Sequence, residues 1–129
     1  MLQPTKRPIL LVLAAGFGFL AVALGAFGAH GLEKVLEPTL LQRYHTGVEY
    51  QFYHSLALGV VGLGYLSKPT RLLYFAGLAF ALGIILFSGS LYIYALTAIK
   101  AFGMITPLGG IAFLVGWALM LYNAWTTHI

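Results

Sequence analysis

The chain contains no cysteine and no aspartate, and its entire acidic complement is Glu33, Glu37 and Glu49. Without cysteine, disulfides and thiolate chemistry are excluded outright. Charge of either sign is scarce: 8% of the 129 residues are charged, against about 25% in a soluble domain. So few charges cannot cover a water-facing surface of this size. No pair of histidines is set on one helix face at the spacing of a metal motif, and no nucleophile elbow is present.

What remains is apolar. Hydrophobic residues make up 60% of the chain, the mean hydropathy is +0.92, and the length suits one domain. The net charge of +4 does not point to nucleic acid. The seven basic residues stand singly or in pairs between apolar runs, with no basic face or stripe. Those positions fit membrane boundaries.

Four spans are predicted, at 9–29, 47–66, 72–97 and 107–125. The first run, Ile9–Ala29, is uncharged over about the 20 residues a spanning helix needs. A basic lead before an apolar run also resembles a signal peptide, but this run exceeds the usual core of about 7–15 residues. His30–Pro38 is amphipathic, with Leu32, Val35 and Leu36 opposite Glu33, Lys34 and Glu37. That pattern predicts a short helix lying in the interface plane and ended by Pro38. Thr39 and Gln42 form a capping-box pattern for the second long helix. Its first half is polar and its second half apolar. Thr70 is a candidate N-cap for the third helix. Thr106 and Pro107 read as N-cap and first helical residue of the fourth. Trp117, Tyr122 and Trp125 close the last span as an aromatic belt.

Lipid is as apolar as leucine, so helices in a membrane associate by close backbone contact or polar bonds. Ala14, Gly18, Ala21, Gly25 and Gly28 recur at helical spacing and form a smooth ridge on the first span. Gly77, Gly83, Gly110 and Gly116 mark further packing seams. Glu49 is an acidic group inside or at the edge of a span, where charges need a partner or a wet cavity. His45 lies about 40° from it on the same helix face, and Arg43, Tyr50 and His54 lie nearly opposite. Pairing of Glu49 with His45 or Lys100 is the expected arrangement.

Four blocks then follow in order: Gly25-Ala-Phe-Gly-Ala-His-Gly-Leu32, Tyr50-Gln-x-Tyr-His54-x-Leu-Ala-Leu58, Phe87-Ser-Gly-Ser-Leu-Tyr92, and Ile105-Thr-Pro-Leu-Gly-Gly110 with Gly116-Trp117. Together they resemble the YgdD/YwdK-like family of small four-span bacterial inner-membrane proteins, over nearly the whole chain. The resemblance implies a bacterial inner-membrane location and no established activity, substrate or cofactor. The family's recurring polar residues fall on His30, Tyr50, Gln51, His54, Ser88, Ser90, Tyr92, Thr106 and Pro107. Alternating spans bring all of these to one side of the membrane. With Glu49 they form the candidate polar site, to which no catalytic, metal or cofactor role is assigned.

The predicted fold is all-α: an integral-membrane antiparallel four-helix bundle with a short interfacial helix after span one. Lys6, Arg7, Lys68 and Arg71 fall on one side, and Lys34, Arg43 and Lys100 on the other. Four against three places both termini in the cytoplasm. The favoured function is non-enzymatic: binding of membrane lipid, a membrane-protein partner or a second copy, or support of the envelope. One alternative is a small transporter or channel using the polar end. The other is a metal-dependent or hydrolytic membrane enzyme.

Overall fold

The computed structural model describes residues 7–129, which contain helices, turns and short connections but no strand. Lys6, counted above in the basic lead, lies outside the described residues. Helix α1 (Ile9–Phe27) continues through a π turn, Gly28–Leu32. Helix α2 is Pro38–Ser67. Helix α3 (Arg71–Gly83) passes through a second π turn, Ile84–Ser88, into α4 (Gly89–Thr97). A 3-10 turn, Lys100–Met104, leads into α5 (Thr106–Thr126).

There are thus four long helical stretches. Ile9–Leu32, Arg71–Thr97 and Lys100–Thr126 are long and apolar enough to cross a membrane. Helix α2 has the length but carries Arg43, Glu49 and several neutral polar residues in its first half.

The helix ends correct the sequence in three places. No separate interfacial helix forms at His30–Pro38. The π turn carries the first helix on through Leu32, Glu33–Val35 is a turn, and the amides of Val35 and Leu36 both donate to the Leu32 carbonyl. Pro38 begins α2 instead of ending an earlier helix, because its fixed φ and missing N–H suit the first helical turn. Thr39 is therefore inside the helix, and Glu37 precedes it without a side-chain cap. Likewise Thr106 is the first residue of α5, not its cap. Thr70 does cap α3, accepting from the Leu73 amide. The α4 helix stops where Ala98 turns left-handed at φ 58°.

Neighbouring stretches run antiparallel and meet through glycines. Along α1 and α2, Gly18 faces Ser55, Gly25 faces Val48, and Gly28 faces the Tyr44 ring. Between α3 and α5, Gly83 receives Phe113 and Gly116 receives Phe80. Gly77 receives Leu10 from α1. Any side chain at these last three would overlap its neighbour. Gly110 is a correction: a Cβ there would meet only open space, and the close approach is at Gly109, against the Phe87 backbone. The one-residue difference is a matter of helix phase, which a run of two glycines leaves undecided.

The main core joins Leu10, Leu58, Val61, Phe80, Ile84 and Phe113. A smaller one joins Leu32, Tyr44 and Ala95 near the far end. Large apolar side chains such as Phe19, Leu114 and Trp125 point outward, as they would toward lipid.

Candidate functional site

The expected polar residues divide into a bonded set inside the helices and an exposed remainder. Gln51 is the hub. Its side chain is buried on α2, where Nε2 donates to the Phe17 carbonyl on α1 at 2.8 Å. Its Oε1 accepts from the Tyr92 hydroxyl on α4 at 2.6 Å. One amide therefore ties three helical stretches. Ser88 lies at the end of the second π turn, fully buried, and donates to the Gly47 carbonyl at 2.7 Å. Gly47 lacks a side chain, and the Tyr92 ring occupies the space a Cβ would need. The π turn inserts an extra residue into its helical cycle, a feature that re-aims side chains, and Ser88 is the residue at its exit.

His54 is buried one turn further along α2. Its Nδ1 is 2.8 Å from the Tyr50 carbonyl. A carbonyl only accepts, so Nδ1 carries the hydrogen and Nε2 holds the lone pair. Nε2 accepts the indole N–H of Trp117 on α5 at 3.0 Å. Both ring nitrogens are thus used, and the ring is neutral in this arrangement. The imidazole also stacks on Phe113, with centroids 3.6 Å apart and planes 8° from parallel.

Ser90 donates to the Phe87 carbonyl and shares a 2.6 Å hydrogen bond with Thr106 on α5. Tyr50 contributes its carbonyl to His54, while its ring packs on Phe87 at 4.7 Å. Ser55 bonds back to the Gln51 carbonyl. No buried side-chain nitrogen or oxygen among the described residues lacks a partner. For polar groups held away from water, this is the arrangement with the lowest cost.

His30 and Glu49 are not part of this set; both are exposed. His30 lies in the first π turn, whose Gly28 packs at the level of Tyr44 and His45, more than two helical turns from His54 along α2. Among the described residues, no group of three acidic or histidine side chains is placed to hold a metal.

Two contributors escaped the sequence. Trp117 stands near the middle of α5 rather than in a terminal belt, and its N–H reaches inward. Its position in mid-span was a signal, because an indole there needs an acceptor. Tyr44 is fully buried and donates its hydroxyl to the Leu24 carbonyl of α1. Beyond it, Arg43 lies over the Tyr94 ring, 4.8 Å from its centre.

The arrangement is one of helix-to-helix bonds, and comparison with known proteins agrees on the kind of protein. The model of a family described as protein of unknown function, DUF423, matches residues 24–110. The UPF0382 membrane protein YwdK of Bacillus subtilis is 46% identical over 121 residues, covering 90% of this chain and 95% of its own length. The UPF0382 inner membrane protein YgdD of Escherichia coli K12 is 44% identical over 115 residues, covering 89% and 88%. A UPF0382 membrane protein of Staphylococcus saprophyticus is 42% identical over 114 residues, covering 88% and 93%. No solved structure matches the chain. The family match takes in the bonded polar residues from Tyr44 to Thr106, and relatives align with nearly the whole sequence, so this chain belongs to the DUF423 family of membrane proteins of unknown function.

Proposed function

We propose that this chain is a four-span bundle of the bacterial inner membrane, with both termini in the cytoplasm, that performs no catalysis and serves as a compact scaffold binding lipid or another membrane protein. The observation that carries this reading is the fate of Gln51 and His54. Each lies in the middle part of α2; Gln51 spends its amide on two other helices, and His54 bonds its own helix through Nδ1 and Trp117 of α5 through Nε2. A transporter would need these groups to meet water, yet Gln51 is 3% exposed and His54 5%. A hydrolase would need a serine beside a free imidazole nitrogen, and Ser88 and Ser90 bond elsewhere.

Helix α2 supplies the fourth span. It is less apolar as far as His54, through the buried Gln51 and His54 and the exposed Gln42, Arg43 and Glu49, and its length exceeds what a bilayer requires. The Escherichia coli relative's name places that protein in the inner membrane, and the same membrane suits this chain. The orientation follows the basic residues.

Two measurements test the reading. A reporter active only outside the cytoplasm, fused after Ile129, stays silent if the termini are cytoplasmic; activity would sink the orientation. Gln51→Ala and His54→Ala lower the thermal midpoint of the purified protein. Unchanged stability with a lost solute flux would favour transport instead.

A further inference from the structure

The acidic side chains of the described residues all lie at one end of the molecule. Among the described residues there are six basic and three acidic side chains. Glu33, Glu37 and Glu49 all follow the first helix or lie early in α2, at the end that also holds Lys34, Arg43 and Lys100. That end is balanced. Arg7, Lys68 and Arg71 stand at the opposite end with no acidic side chain among them. The whole side-chain net charge of the described residues is therefore concentrated where α1 starts, α2 stops and α3 starts.

The same end is concave. One cavity of about 370 Å³ is lined by Arg7, Leu10, Leu11, Gly62, Leu66 and others. A second, of about 380 Å³, is lined by Thr70, Arg71 and Phe75 among others. Tyr65 and Tyr74 line both, with ring centres 5.8 Å apart, so the two cavities are neighbours across one pair of rings. Each cavity carries one arginine. From Arg7 the first cavity runs onto leucines of α1 and α2, past the bare backbone of Gly62.

The geometry points to a binding site for an anionic phospholipid, its phosphate between Arg7 and Arg71 and one acyl chain along Leu11 and Leu66. Guanidinium pairs suit phosphate oxygens, which they can engage through two N–H donors each. Tyrosine suits the headgroup level, where its ring is in the apolar layer and its hydroxyl in the polar one. Basic recesses between spanning helices on the cytoplasmic face bind anionic headgroups by this chemistry. The site deepens the scaffold reading above and rests on its membrane placement. It names the class of lipid and the residues that select it.

The test is native mass spectrometry of the full chain, released from mixed micelles holding equal amounts of phosphatidylglycerol and phosphatidylcholine. Wild type retains phosphatidylglycerol in preference, by about thirtyfold if two guanidiniums act near the surface. Arg7→Gln with Arg71→Gln brings the two lipids to parity. Lys34→Gln with Lys100→Gln, at the balanced end, keeps the wild-type preference. Equal retention of phosphatidylglycerol by wild type and the arginine variant would overturn the site. So would binding of inorganic phosphate, added alone, with no preference between the lipids. Lipid retention is read without regard to membrane orientation, so a failed site with a silent reporter at Ile129 leaves the scaffold reading standing.

Discussion

The middle of this molecule and its basic end handle polarity in opposite ways. In the middle, Gln51, His54, Ser88 and Tyr92 are drawn inward and bonded to other helices. At the basic end, Arg7, Lys68 and Arg71 stay exposed. On the membrane placement proposed above, the difference follows from depth. A polar group within the hydrocarbon has only protein to bond with, whereas one at the surface has water and headgroups. Polar residues at depth are therefore spent on holding helices together. Those at the surface remain available to bind something else.

The comparison can be broken most severely at a glycine. Gly109→Val would push a side chain into the Phe87 backbone, which has no flexible end to move aside. The expected loss is about 3 kcal/mol, the upper range for overpacking, seen as a collapse of the thermal midpoint in detergent. Gly110→Val, with open space around it, should change the midpoint little. If the two behave alike, the helix phase described for α5 is wrong.

Gln51→Leu comes next. It removes two interhelical bonds and leaves Tyr92 and the Phe17 carbonyl without their partner. At about 0.6 kcal/mol per bond on average, and up to about 1.7, the loss is roughly 1–3 kcal/mol. Tyr92→Phe removes one of these bonds and should cost about 0.6 kcal/mol by the same measure. In the double variant the losses add to less than their sum, because one bond is counted in both. Strict additivity, measured by reversible unfolding, would show that Gln51 and Tyr92 are not coupled.

Trp117→Phe sharpens the comparison at His54. It keeps an aromatic ring but removes the indole donor, so a loss of about 0.6 kcal/mol is expected. The nitrogen-15 spectrum of the wild-type imidazole should report a neutral ring protonated at Nδ1. A ring protonated at Nε2 would contradict the Trp117 bond. The smallest effect belongs to Thr106→Ala, a few tenths of a kcal/mol, since Ser90 keeps its bond to the Phe87 carbonyl.

Much of this protein is decided by composition and order alone. Scarce charge and long apolar runs determine an all-helical membrane protein, because an uncharged run in lipid must satisfy its backbone within itself. Thr70 as a cap and the ridge from Ala14 to Gly28 are local features, legible from spacing. The family was legible in four blocks of residues that recur in order.

Other features depend on distance in space. Whether Pro38 ends one helix or begins the next turned on where the first helix stops: it runs through Leu32, and the turn at Glu33–Val35 separates it from α2. The choice between Gly109 and Gly110 depends on where Phe87 arrives from another helix. His30, Glu49 and His54 are similar as letters, yet burial separates them: the first two face outward and the third is enclosed by Tyr50, Phe113 and Trp117. The sequence by itself determined the class of protein, since that follows from hydropathy along the chain. Only the tertiary structure decided which of its polar residues meet, because a hydrogen bond between helices requires a particular rotation of each, and no one-dimensional pattern contains both rotations.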